Sequence, residues 1–223
     1  AIVFLLCGVG TVAAKNYHDS VIKVNESGFT ITSIQDAMNG AGVSQEGAFF
    51  KLGGVFSIVD AAPEDQPEIC EAKIMEMDTC EYNSIEEFLE KGNVACVVPD
   101  KTLFGKEFTW ENVTVTEEGR GVFLRLSGEE CYFLLNQSDN RDVEFYSSST
   151  VYDGKSCNER NFINSQGLCY VMFDTVDDAG ADRSIHAVIS VNGWDLSVTF
   201  KGFDEKVVER VLNSLDLQLY FEE

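Results

Sequence analysis

Cysteine is the residue type with the greatest capacity for covalent chemistry in this 223-residue chain, which contains seven cysteines but only two histidines. A cysteine thiol can pair in a disulfide or, as a thiolate, attack an electrophile. Cys7 lies apart from the others, in an apolar N-terminal segment. The remaining six form an even set, which makes a disulfide framework the first expectation: Cys70, Cys80, Cys96, Cys131, Cys157 and Cys169.

The N-terminal segment indicates the compartment in which these thiols would react. Residues 1–14 are uncharged, begin with an apolar run, and end with Val12 and Ala14 at the spacing of a signal-peptide cleavage site. This run is too short to span a bilayer. We predict a signal peptide over residues 1–14 and secretion of the mature chain, 15–223, into an oxidising extracellular compartment. A buried first strand is the alternative interpretation of the same segment.

In such a compartment the six remaining cysteines are expected to form three disulfides. Many pairings are possible, and the sequence does not choose among them. Pairing of nearest neighbours would join Cys70 to Cys80, Cys96 to Cys131, and Cys157 to Cys169.

Three N-glycosylation sequons agree with secretion. They begin at Asn25, Asn112 and Asn136, and none has proline in the middle position. Around Asn112 the alternation of a strand places Trp110, Asn112 and Thr114 on one face. A glycan at Asn112 is therefore predicted to face solvent with Trp110 beside it.

The charge balance excludes one class of partner. The chain has 16 Lys and Arg against 38 Asp and Glu, a net charge of −22. Nucleic-acid affinity comes largely from Lys and Arg that displace counterions from phosphates, so no nucleic acid is expected as a partner. An anionic membrane surface would also repel the chain, and no membrane association is expected of the mature form.

Catalysis or metal binding by histidine is not indicated. His18 lies near the mature N-terminus, and His186 falls on the polar side of a predicted hairpin, which favours a surface histidine over a catalytic one. No hydrolase, nucleotide or dinucleotide signature is present. Four aspartates crowd one loop, but their spacing differs from that of an EF-hand, and we predict no metal site there: Asp174, Asp177, Asp178 and Asp182.

The elements that must position these residues are clearest near the C-terminus. Apolar residues alternate through 185–191 and again through 194–200, and Asn192-Gly193 lies between them. This pattern predicts a hairpin with a type I′ turn and one wholly apolar face. Asp204 is a predicted N-cap, and apolar residues at helical spacing follow it, so we expect an amphipathic helix that covers that face: Val207, Val208, Val211, Leu212 and Leu215.

The rest of the chain has the pattern of a β-rich domain. A capping box at Ser84 and Glu87, with Gly92 as a stop, predicts one more short helix. Strands are predicted over 108–116, 121–126, 131–135, 143–146 and 168–174, and less clearly over 21–31 and 49–59. The expected fold class is α+β: a mainly antiparallel β domain, barrel-like or sandwich, stabilised by disulfides, with a C-terminal helix packed on the sheet. One domain is predicted, with a possible sub-boundary at 61–67.

In its overall profile the chain resembles the pholasin-type photoproteins, the luminescent glycoproteins of boring bivalve molluscs. The resemblance rests on the length, the seven cysteines with Cys7 in the signal, and the sequons at Asn25, Asn112 and Asn136. It implies a secreted photoprotein that holds a dehydrocoelenterazine-type luciferin and emits light, in a single turnover, when oxygen or a reactive oxygen species oxidises it. In related mollusc systems a cysteine thiol can add to the conjugated enone of the chromophore.

Two cysteines are candidates for such an attachment. Cys131 precedes Tyr132 and Phe133, and Cys169 precedes Tyr170, so either thiol would lie among aromatic side chains that exclude water. Each is also a disulfide candidate. Because apolar surroundings raise the pKa of a thiol, attachment at either position requires a positive group nearby.

The alternative function is a non-enzymatic secreted glycoprotein that binds a small apolar, aromatic ligand reversibly, as lipocalins do. Its aromatic residues, among them Phe173, Trp194 and Phe200, could line such a site, although most are expected in the core. A secreted hydrolase with an unrecognised site is a third interpretation. The number of cysteines in disulfides distinguishes the covalent photoprotein from the reversible binder.

Overall fold

Antiparallel strands dominate the part of the chain that the structure, a computed structural model, describes. That part comprises residues 20–33, 49–52, 55–58, 79–116, 119–142, 147–177, 180 and 182–221. The predicted signal peptide, the predicted strand 143–146 and the possible boundary at 61–67 lie outside it. The strands are β1 (Ser20–Asn25), β2 (Gly28–Ser33), β3 (Phe49–Leu52), β4 (Val55–Ile58), β5 (Thr79–Tyr82), β6 (Trp110–Thr116), β7 (Gly121–Ser127), β8 (Tyr132–Asp139), β9 (Ser147–Val151), β10 (Lys155–Ile163), β11 (Cys169–Val176), β12 (Arg183–Val191) and β13 (Trp194–Lys201).

These strands form two antiparallel sheets. One has eight strands in the order β10-β11-β12-β13-β8-β7-β6-β5, and the other has five in the order β1-β2-β9-β4-β3. The eight-stranded sheet has β10 at one edge and β5 at the other, so it is open and not closed into a barrel. The predicted antiparallel β-rich character is confirmed.

The hairpin of β12 and β13 lies at the centre of the larger sheet. Val191 pairs with Trp194, and the register continues to Ile185 opposite Phe200, as the alternation predicts. Both turn residues have positive φ, 51° at Asn192 and 74° at Gly193. A type I′ turn requires this backbone conformation at both positions, and Asn-Gly provides it at low cost.

One face of the eight-stranded sheet, here called the helix face, is apolar and covered by helices. Helix α2 (Glu205–Ser214) begins at Asp204, whose carboxylate accepts a hydrogen bond from the Val207 backbone N–H at 3.0 Å. Its apolar stripe joins the inward residues of the hairpin in one core, as predicted. The fully buried members of that stripe and its C-cap are Val208, Val211, Leu212 and Leu215.

Helix α1 (Ile85–Lys91) covers the same face near β5 and β6. Ser84 caps it by accepting from the Glu87 N–H at 3.0 Å, and Glu87 reaches back to the Asn83 N–H at 2.9 Å. Phe88 is buried in the core, and the helix stops at Gly92. Two 3₁₀ turns complete this layer, η1 (Lys101–Phe104) and η2 (Gln218–Phe221).

The opposite face, here called the sheet face, is covered in part by the five-stranded sheet. Phe29 and Ile31 of β2 pack against Phe173 of β11 and Val188 of β12. The rings of Phe29 and Phe173 meet edge to face, with their centroids 6.2 Å apart. The outward-pointing residues of the central strands are therefore buried between two sheets.

The structure forms no disulfide between any two of its five described cysteines. Cys157 pairs across strands with Asp174, five residues beyond Cys169 on β11, so roughly 17 Å of strand separates Cys157 from Cys169. A disulfide requires Cα atoms within about 7 Å. The nearest-neighbour pairing of Cys157 with Cys169 is therefore wrong. Cys70 lies outside the described residues, and its pairing stays a prediction.

Candidate functional site

Cys131 lies in an open cleft at one end of the eight-stranded sheet, where β7 and β13 end and β8 and β12 begin. The cleft has a volume of about 460 Å³. This is within the range of small-molecule sites in proteins. We call it the thiol cleft, and its lining residues are Arg125, Ser127, Gly128, Glu129, Glu130, Cys131, Tyr132, Asp182 and Lys201.

Two positive side chains reach the thiol cleft, and neighbours hold each of them. The Arg125 guanidinium lies 5.2 Å from the ring centroid of Trp110, and its Nε donates to Ser127 Oγ at 3.2 Å. Lys201 forms an ion pair with Asp182, and its ammonium lies 5.8 Å from the ring centroid of Tyr132. Arg125 and Lys201 therefore both line the cleft that Cys131 lines.

The thiol itself is tightly placed. Cys131 is 7% exposed and free of any disulfide. A Cβ on Gly128 would lie 2.9 Å from Cys131 Sγ and 2.6 Å from the Glu107 carbonyl oxygen, so only glycine leaves room for the thiol there. The Gly128 N–H donates to the Cys131 carbonyl at 2.8 Å and closes the turn between β7 and β8.

The other cysteines have different surroundings. Cys169, the second attachment candidate, is half-buried at the start of β11 and does not line the thiol cleft. Burial raises the pKa of the Cys96 thiol to about 12, which keeps it protonated near neutral pH. Cys80 and Cys157 are exposed, on the edge strands β5 and β10.

His186 lies on the side of the hairpin that the sequence predicts, but the expectation that it is a surface residue is wrong. The sequence places it on the polar side of the hairpin, but that side is covered by the five-stranded sheet, and His186 is 1% exposed. Its ring stacks on Tyr152 and on Phe173, with centroid distances of 3.9 and 4.8 Å. Both ring nitrogens are bound, one 2.8 Å from Thr175 Oγ1 and the other 3.0 Å from Thr199 Oγ1.

This environment keeps the imidazole neutral. Burial lowers the pKa of His186 to about 3, while the charge of Asp174 acts weakly in the opposite direction. A neutral imidazole donates at one nitrogen and accepts at the other, and a threonine hydroxyl can do either, so both bonds are satisfied. Burial also raises the pKa of the Tyr152 phenol. The cluster of His186, Tyr152, Thr175 and Thr199 therefore acts as a neutral, hydrogen-bonded part of the sheet interface.

Two of the aspartates near the end of β11, Asp174 and Asp182, are bound to cations of the chain. Asp174 is buried and accepts from Arg160 at 3.2 Å and from Arg183 at 2.8 Å. Asp182 pairs with Lys201 in the thiol cleft. Asp178 lies outside the described residues. Among the residues that are described, no group of three or more His, Cys, Asp or Glu side chains could hold a metal ion.

The three sequons lie on strands. Asn25 is exposed at the end of β1, Asn112 is half-buried on β6, and Asn136 is half-buried on β8 between β7 and β13. Trp110 is 47% exposed, while Val113 and Val115 point into the core, as the alternation predicts.

Comparisons with protein-family models, with curated proteins and with solved structures find no match for this chain. The site must therefore be interpreted from its own residues. Within the described part of the chain, no helix is long and apolar enough to cross a membrane.

Only part of this site could be predicted from the sequence. It singled out Cys131 and Tyr132, but not Arg125, Lys201 or Gly128, which come from three separate elements. The available local signal was Gly128 followed by two glutamates, which marks the turn that exposes the cleft. Tyr152 was missed because it lies far from His186 in sequence, whereas the predicted hairpin register already pairs Thr199 with His186.

Proposed function

We propose that this chain is a secreted photoprotein that holds a dehydrocoelenterazine-type luciferin on the thiol of Cys131. The observation that carries the proposal is a free thiol in the lining of an open cleft that also contains Arg125 and Lys201. The resemblance in profile to the pholasin-type photoproteins supplies the ligand class. Secretion, glycosylation and a single disulfide that involves Cys70 are parts of the same proposal.

The chemistry of the lining fits the group. When bound, the luciferin supplies a conjugated system that accepts a thiol and that releases light on oxidation by oxygen or a reactive oxygen species. The chain contributes the nucleophile, the thiol of Cys131, in a lining that also contains the side chains of Arg125 and Lys201. Trp110 and Ser127 fix the position of Arg125, so its guanidinium is a held group available to a polar part of the ligand.

The remaining lining residues determine what else the cleft accepts. Tyr132 offers one aromatic ring, and the stems of Arg125 and Lys201 add aliphatic surface. Most other lining side chains are polar or charged, so the cleft suits a ligand with both ring systems and polar groups better than a wholly apolar one. This polarity favours the covalent photoprotein over reversible binding of an apolar ligand.

Loading of the purified chain with dehydrocoelenterazine tests the proposal. We expect wild-type protein to gain a visible absorption band that survives denaturation and gel filtration, and to emit light when superoxide is added. The Cys131→Ser variant should lose the denaturation-resistant band and nearly all of the light, because the nucleophile is gone.

Cys80→Ser is the matched control, because Cys80 is also a free thiol but is exposed on an edge strand away from the cleft. It should load and emit like wild type. Equal loading of Cys131→Ser and wild type would contradict attachment at Cys131. Ligand that binds to both but dissociates on denaturation would instead identify the reversible binding protein.

A further inference from the structure

Strand β6 places an exposed indole beside the central sequon. Trp110, Asn112 and Thr114 alternate along β6 and share the sheet face, whereas Val113 and Val115 are buried on the helix face. Trp110 is 47% exposed, an unusual state for a residue of its size. A large apolar surface therefore lies two residues before the glycosylation acceptor.

The acceptor amide is oriented by its own sequon. Thr114 Oγ1 donates to Asn112 Oδ1 at 2.9 Å. This bond occupies the oxygen end of the amide, so Nδ2, the atom that carries an N-linked glycan, is the end available for attachment. Thr114 is 6% exposed and has little freedom to move, so the amide is held by a fixed group.

The indole is fixed as well. The Arg125 guanidinium lies 5.2 Å from the Trp110 ring centroid, and Arg125 is the cross-strand partner of Asn112 on β7. The guanidinium therefore holds the ring near the acceptor while about half of the residue stays open. An aromatic ring with a free apolar surface is the group against which the C–H faces of a sugar pack in water.

We propose that a glycan on Asn112 packs its first N-acetylglucosamine against Trp110, and that this contact stabilises the folded protein. The inference rests on the secretory part of the proposed function and not on light emission. It makes Trp110 a carbohydrate-contact residue within the chain. The sugar replaces water on the exposed indole, so its removal uncovers apolar surface again.

The other two sequons provide internal controls because the residue two positions before each acceptor differs. Lys23 precedes Asn25, and both are exposed on β1, so no ring is available there. Leu134 precedes Asn136, whose side-chain oxygen is buried without a hydrogen-bond partner among the described residues. Only Asn112 combines an aromatic neighbour, an oriented amide and an exposed approach.

The experiment uses protein secreted from a eukaryotic host, with each sequon assigned by peptide mass spectrometry. Thermal unfolding is measured for intact glycoprotein, for protein trimmed to one N-acetylglucosamine at each site, and for fully deglycosylated protein. All three forms are made with wild-type Trp110 and with Trp110→Thr. Threonine removes the ring but also favours a β-strand. Asn25→Gln and Asn112→Gln separate the two sites.

We expect trimming to one sugar to leave the midpoint of unfolding unchanged, and loss of that last sugar at Asn112 to lower it by roughly 2–4 °C. In Trp110→Thr the same loss should have no effect, and Asn25→Gln should show no coupling to Trp110. An equal drop in both Trp110 backgrounds would overturn the proposal, as would an unmodified Asn112 beside a glycosylated Asn25. Absence of sugar at every sequon would overturn both this inference and the glycosylation that the proposed function includes, whereas failure to emit light affects neither.

Discussion

The two faces of the eight-stranded sheet are covered by different partners, and their buried residues differ in kind. On the helix face, α2 packs on aliphatic and aromatic side chains, such as Ala187, Val198 and Phe200. On the sheet face, the five-stranded sheet covers Phe173 and Val188 but also the polar cluster of His186. The alternation of polar and apolar residues therefore distinguishes the two faces correctly, but it does not show which face meets solvent.

This difference has an energetic consequence. Aliphatic packing on the helix face stabilises the fold by burying apolar surface, and this stabilisation does not depend on protonation. The sheet face depends on a neutral imidazole and on two hydroxyl partners, because a buried polar group is costly when its bonds are unmade. Substitutions on the two faces separate these contributions.

Leu212→Ala on α2 should have the largest effect. Leu212 is fully buried under the sheet. Its truncation creates a cavity and should lower the free energy of unfolding by about 2–5 kcal/mol, by the same amount at pH 7 and at pH 5. Urea denaturation measures this, with Glu209→Ala on the exposed side of α2 as the control. A strongly pH-dependent loss would show that the helix face is not purely aliphatic in its energetics.

His186 should make the sheet face sensitive to acid. Its pKa is about 3 in the folded protein, below its ordinary value of 6.5, so its contribution is complete above pH 6.5. As the pH falls from 6.5 towards 3, the unfolded chain takes up the proton first, and stability is lost. Between pH 7 and pH 4 this single group should cost about 3 kcal/mol.

The measurement compares urea denaturation of wild type and of His186→Gln across that pH range. The variant is expected to be weaker at pH 7, because it loses the ring stacks, but its stability should fall less on acidification. With only two histidines in the chain, NMR titration of the imidazole signals is direct, and His18→Gln assigns them. A His186 signal that titrates near pH 6.5 in the folded protein would refute a buried neutral imidazole.

Thr175→Val tests the hydroxyl partners of the sheet face. The substitution leaves one nitrogen of His186 without its bond of 2.8 Å, and should cost about 1–3 kcal/mol. The double variant Thr175→Val with His186→Phe removes the unsatisfied group and should be less destabilised than the sum of the two single variants. Additive losses in the urea measurement would mean that Thr175 and His186 contribute independently.

The smallest loss in the free energy of unfolding is expected from removal of a buried hydrogen bond on the helix face. Tyr220 on η2 donates its hydroxyl to Gln137 Oε1 at 3.0 Å, and both residues are buried. Tyr220→Phe removes this donor, but Gln137 Oε1 still accepts from the Val97 N–H. The loss should be about 0.5–1.5 kcal/mol in urea denaturation, and a loss as large as that of Leu212→Ala would contradict the ranking.

The contrast between the faces also shows what the sequence could predict. Local patterns were enough for the hairpin register, the Asn192-Gly193 turn and the caps at Ser84 and Asp204, because each depends on residues close in sequence. Strand β10 was not predicted, because its mixed polar sequence lacks alternation and it lies at a sheet edge with a bulge after Cys157.

Long-range contacts explain the other omissions. His186 is buried by β2 and by Tyr152, neither of which its own hairpin reveals. For the thiol cleft, Cys131 and Tyr132 were singled out from sequence, but Arg125 and Lys201, on neighbouring strands, approach them only after the strands pair. Nearest-neighbour pairing of cysteines failed between Cys157 and Cys169 because antiparallel register places them at opposite ends of β10 and β11.

Attachment of a dehydrocoelenterazine-type luciferin to the Cys131 thiol is the central proposal for this protein. Proteolytic peptide mapping of the native, secreted protein by mass spectrometry without reduction tests it most directly. We predict that the peptide containing Cys131 carries an added mass of a dehydrocoelenterazine-type chromophore, and that peptides containing Cys80 and Cys96 do not. A Cys131 peptide joined to another cysteine peptide by a disulfide, with no adduct on any thiol, would contradict it.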